Sequence, residues 1–147
     1  MQLLDKAIAI AKKAHIAQID KAGKPYISHP LRVMEAMKTE EEKIVAILHD
    51  AVEDSELTIE DLNTAGFDNR IIRAIDAITK REGEELQVYL TRVMDNPLAL
   101  KVKIADMTDN LDLSRISHPT DKDRARIKVY RENIIKLRQK LKTIESK

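Results

Sequence analysis

The chain has 147 residues, with 26 Lys and Arg against 25 Asp and Glu, four His and no Cys. That length suits one domain with a core of its own, and the near-neutral charge argues against a partner such as nucleic acid or an anionic membrane. Without cysteine there are no disulfides, thiolate nucleophiles or Cys-held metals, and no apolar run approaches the ~20 residues that span a bilayer. Charges recur through Met1–Lys6, where a signal peptide needs an uncharged apolar block, so the expected location is cytoplasmic.

Three glycines and four prolines in a sequence rich in Leu, Ile, Ala, Glu and Lys predict an all-α chain. Leu4, Ile8, Ala11 and His15 form the apolar stripe of a first helix, which Gly23 and Pro25 must break. Ser28-His29-Pro30 opens a second helix. Thr39 and Glu42 read as a capping box for an apolar helix, Ile44 to Leu48, that runs into His49-Asp50. Thr58 with Asp61 starts another helix, ended by Gly66, and Asp68 or Asn69 starts the next. Helices are also expected from Glu84 to Met94 and, after Asn96-Pro97, from Leu98 to Leu111. Thr120 to Asp123 caps a long last helix, from about 120 to 145, with Ile127, Tyr130, Ile134, Leu137, Leu141 and Ile144 on one stripe. The stripe is too short for a coiled-coil seam, so this helix is expected to pack on its own domain. No linker or internal repeat divides residues 1–147, which are expected to form a single domain.

Histidines and acids gather where these helices break. His29 follows a tight turn, His49 and Asp50 follow five apolar residues, and Asp106 ends another apolar stretch. Buried carboxylates and imidazoles need compensation, and one form of it is a divalent cation in a mixed N/O site, open to water and substrate. Such a cation lowers the pKa of a water it binds. Glu53 and Asp54 lie four residues beyond His49 and Asp50, one helical turn on, where acids can hold or move protons. The plainer readings are a polar pair at His49-Asp50, a charged helix end at Glu53-Asp54, and a generally acidic stretch from Asp106 to Asp112. His15 reads as a core or supporting histidine, and His118, before Pro119, as loop.

The ordered segments Ala14-His15, Gly23-Lys24-Pro25-Tyr26-Ile27-Ser28-His29-Pro30-Leu31, Leu48-His49-Asp50-Ala51-Val52-Glu53-Asp54-Ser55 and Lys103-Ile104-Ala105-Asp106 with Asn110 resemble the HD-domain hydrolases of the RelA/SpoT type. The resemblance runs from about residue 4 to about residue 115. It implies a compact multi-helix HD-domain fold and a metal, usually Mn²⁺, held by His29, His49, Asp50 and Asp106. It makes Glu53 and Asp54 the catalytic acidic pair, and Asn110, Lys21 and Lys103 contacts to a nucleotide substrate. The implied reaction is removal of the 3′-pyrophosphate from guanosine 3′,5′-bis(diphosphate), the alarmone of the stringent response. With no room for a synthetase domain in these residues, hydrolysis alone is expected.

Four positions depart from the pattern. Asp20 stands where the family often has arginine, Met107 and Asp109 replace the Arg and His of its A-D-R-x-H-N form, and Leu113 stands where threonine is frequent. An acid at position 20 repels phosphate and offers no cationic plane to a purine. The departures keep two alternatives open: hydrolysis of another phosphorylated nucleotide, such as the 2′-phosphate of NADPH, or a nucleotide-binding module without turnover.

Overall fold

A computed structural model describes residues 2–112, 114 and 116–146. Among them nine helices follow in order: α1 (Leu3–Ala14), α2 (Ser28–Glu35), α3 (Glu40–Leu48), α4 (Ala51–Asp54), α5 (Ile59–Thr64), α6 (Asn69–Ile78), α7 (Leu86–Met94), α8 (Pro97–Asn110) and α9 (Asp121–Glu145). The only strand-like pairing among the described residues is an isolated bridge from Ile19 to Pro25, which closes the loop between α1 and α2. Gly23 turns that loop at φ 78°, a conformation costly for any residue with a Cβ.

The helix starts follow the sequence signals. Thr39 with Glu42, Thr58 with Asp61 and Thr120 with Asp123 each form a reciprocal capping box. Asp68 and Asn96 cap α6 and α8, the latter with Pro97 in its first turn. One expectation is corrected: α3 does not continue through His49-Asp50. The chain turns at these two residues and starts the short helix α4 at Ala51. The Asp54 amide still bonds the Asp50 carbonyl, so one contact of helical type spans the turn.

The position of α3 explains its apolar run. It packs against α1, α2, α6 and α8, and every side chain from Ile44 to Leu48 is buried. Helix α9 lies along α8 and α7, where Ile134 and Leu137 join the core and Tyr130, Leu141 and Ile144 pack against it. No helix among the described residues is long and apolar enough to cross a membrane. The frame thus brings the end of α3, the start of α2 and the last turns of α8 to one place.

Candidate metal centre

His29, His49, Asp50 and Asp106 each present one nitrogen or oxygen, and these four atoms lie within 4.8 Å of one another. His29 Nε2 is 2.7 Å from Asp106 Oδ1 and 3.7 Å from Asp50 Oδ2. His49 Nε2 is 3.2 Å from the same Asp106 oxygen and 3.0 Å from Asp50 Oδ2. The two rings meet edge to face at 5.4 Å between centroids.

Each imidazole is held from behind, which leaves its Nε2 for the centre. His49 Nδ1–H donates to the Ala46 carbonyl at 2.5 Å. Asp109 Oδ2 lies 2.6 Å from His29 Nδ1, placed to accept the hydrogen that the ring carries there when Nε2 serves as a metal ligand. The carboxylates are held as well. The Tyr26 hydroxyl donates to Asp50 Oδ2 at 2.6 Å. Asp106 accepts from Lys103 Nζ at 2.9 Å and from Asn110 Nδ2 at 3.3 Å.

Burial opposes every charge here, and the neighbours decide the outcome. Burial pushes Asp106 up, but Lys103, His49 and His29 hold it well below the usual carboxylate range. Burial pushes His49 down, yet Asp50 and Asp106 carry it well above its ordinary value. Two imidazoles and two carboxylates converging on one point are a donor set that fits a divalent cation such as Mn²⁺, Fe²⁺ or Zn²⁺.

Glu53 and Asp54 sit on α4, both exposed, and Glu53 lines a surface cleft with Lys80 and Arg81. Partial burial, then the charges of Asp50 and Glu53, push the Asp54 carboxyl up to about 6. Burial and Asp50 raise Glu53 as well. Folded Asp54 therefore holds its proton more tightly than an unfolded carboxyl of ordinary pKa 3.8. Its contribution favours folding below about pH 4 and is lost as pH rises through about 6. Asp54→Asn is expected to raise the melting temperature of chelator-treated protein at about pH 8 and leave it unchanged at about pH 4, as read by circular dichroism.

A cavity of about 300 Å³ adjoins His29. The loop between α1 and α2 lines it with Ile19, Asp20 and Lys21, and α9 with Arg126 and Tyr130. Asn110 also lines this cavity. Lys103 is not among its lining residues; its ammonium sits on Asp106 and over the Tyr89 ring.

No family model matches the chain. Over 140 residues it is 31% identical to a guanosine-3′,5′-bis(diphosphate) 3′-pyrophosphohydrolase of Vibrio cholerae, an alignment covering 84% of this chain and 20% of that protein. A probable GTP pyrophosphokinase of Mycobacterium leprae is 30% identical over 132 residues, 81% of this chain and 17% of its own. The chain is RelA/SpoT-like. It spans a fifth or less of the length of these two curated relatives. In three dimensions it superposes on a solved metazoan ortholog of SpoT, described as hydrolyzing ppGpp, with a TM-score of 0.75. That match has 24% identity over 96% of this chain and 92% of the other, and it establishes the shared all-α fold.

The departures from the RelA/SpoT pattern find distinct places. Asp20 lines the cavity, but its Oδ1 accepts from the backbone amides of Ala22 and Lys24, both at 2.9 Å, so the acid also braces the loop. Met107 is buried in the core, away from the cavity. Leu113 lies outside the described residues. Asp109, read from the sequence as part of an acidic stretch, is the support of His29.

Sequence reasoning also missed Arg32, Arg126 and Tyr130, none of which carries a local motif. His15 is buried and donates from Nδ1 to Gln18 at 2.7 Å, while its Nε2 has no hydrogen-bond partner among the described residues. Gln18 in turn donates to the Asp54 carbonyl at 2.8 Å, tying the end of α1 to the end of α4.

Proposed function

We propose that this chain is a metal-dependent phosphohydrolase that removes the 3′-pyrophosphate from guanosine 3′,5′-bis(diphosphate), with Mn²⁺ as its metal and the 147 residues acting as one hydrolytic unit. The observation that carries this reading is the convergence of His29, His49, Asp50 and Asp106 beside a cavity whose wall holds Lys21, Arg32, Arg126, Tyr26 and Tyr130 along with Asp20 and Asp112. A divalent cation held by these four side chains supplies Lewis-acid polarisation of phosphoryl oxygen and activation of water.

The rest of the work falls to the chain. Water adds to phosphorus as the bond to the 3′-oxygen breaks, so one proton must leave the water and one must reach the departing oxygen. Glu53 and Asp54 are the groups assigned to those transfers, and a carboxyl near 6 holds and releases a proton close to neutral pH. Lys21 and Arg126 face phosphate charge from the cavity wall, while Tyr26 and Tyr130 offer flat apolar surface to a base.

The test is phosphate or pyrophosphate release with Mn²⁺ from guanosine alarmones, NADPH and common nucleoside phosphates. Selective pyrophosphate release from the alarmone is the expected result. Release from a different compound discards the alarmone, and nucleotide binding without turnover on any of them discards the enzyme. Arg126→Ala is expected to raise KM about tenfold or more through loss of a charged hydrogen bond. Its Mn²⁺ affinity, read by calorimetric titration, should equal that of wild type.

A further inference from the structure

We infer that Asp109, held by Arg32, is a positioning residue that fixes His29 with Nε2 toward the metal. The inference rests on the metal-centre reading above and extends it to a pair of residues outside the four donors.

His29 and Arg32 are three apart on α2, and Asp106 and Asp109 are three apart on α8, so each pair shares one helix face. The two faces meet, and the His29 ring lies between the two carboxylates. Asp106 Oδ1 stands 2.7 Å from Nε2, and Asp109 Oδ2 stands 2.6 Å from Nδ1. A neutral imidazole has one N–H. Once Nε2 gives its lone pair to a cation, the single N–H is at Nδ1, and Asp109 holds it there.

Asp109 is itself clamped. Arg32 Nε reaches its Oδ1 at 2.8 Å and Nη2 its Oδ2 at 3.0 Å, the forked geometry of a guanidinium on a carboxylate. The Asp109 side chain is 13% exposed and that of Arg32 34%, so the pair lies mostly out of water, unlike a free surface ion pair. His49 shows the same arrangement with a different anchor. Its Nδ1 is tied to the Ala46 backbone carbonyl, which no substitution can remove. Of the two rings, His29 alone hangs on a side chain, so its orientation is the one that mutation can test.

The experiment is calorimetric titration of Mn²⁺ into wild type, Asp109→Ala, Asp109→Asn and Arg32→Gln, with imidazole nitrogen NMR spectra of each protein. Asp109→Ala is expected to weaken Mn²⁺ binding about 10–100-fold, the usual loss for such a supporting partner. Asp109→Asn keeps a carbonyl acceptor and should fall between, as should Arg32→Gln, which leaves Asp109 in place but unclamped. The His29 spectrum should move from an Nδ1–H ring to a mixture of tautomers in Asp109→Ala, a change that lost packing alone does not produce. If Asp109→Ala does not fold, Asp109→Asn and Arg32→Gln decide. Variants that bind Mn²⁺ as tightly as a metal-binding wild type would overturn the inference. A wild type that binds no Mn²⁺ would overturn the metal-centre reading, and this inference with it.

Discussion

Asp106→Asn is expected to eliminate Mn²⁺ binding and to slow hydrolysis at least about a thousandfold. The asparagine keeps the volume of the side chain, so no cavity opens, but it removes the charge on which the centre turns. Asp106 is where both Nε2 atoms, the Lys103 ammonium and the Asn110 amide meet. Several kcal/mol of transition-state stabilisation come from a bound cation, and each 1.36 kcal/mol is about a factor of ten in rate. The substitution also leaves Lys103, whose side chain is 16% exposed, without its carboxylate. Breaking a buried ion pair on one side costs about 3–5 kcal/mol. Calorimetric Mn²⁺ titration, pyrophosphate release and thermal melting check the three effects separately. Unchanged metal affinity would remove Asp106 from the donor set.

Glu53→Gln should behave in the opposite way, leaving metal binding and folding alone while turnover falls about 10²–10⁴-fold, the usual range for a lost proton-transfer group. Glu53 is exposed on a four-residue helix, and a surface change of this kind moves stability by about 0.5 kcal/mol at most. The expected signature is a lower kcat at wild-type Mn²⁺ affinity. Full activity in Glu53→Gln would show that the proton moves by another route.

The parts of the fold legible in the sequence are those written in local chemistry. Thr39, Thr58, Asp68, Asn96 and Thr120 start their helices through side chain to backbone bonds within two or three residues. The turn at His49-Asp50 was not legible, because an apolar run continuing into polar residues looks helical throughout. The four candidate donors stood out because each ends an apolar stretch or follows a tight turn, places where a buried polar group needs a reason. Their supports did not. Asp109 is 80 residues from His29, and Lys21 is 102 from Asp123, so no window of sequence contains either pair. Asp109 looked like one acid among several until its partner on α2 was known.

The division between the two halves of the site has a consequence for how such a protein changes over generations. The candidate donors fall within residues 29–106, on or beside α2, α3 and α8. Much of the remaining cavity wall comes from elsewhere, from the loop before α2 and from α9, joined by Lys21 to Asp123 at 2.8 Å. Substitutions in that wall can reshape the cavity while the four candidate donors stay in register. Change in the wall is thereby uncoupled from change at the four candidate donors, and Asp20, which departs from the RelA/SpoT pattern, lies in the wall.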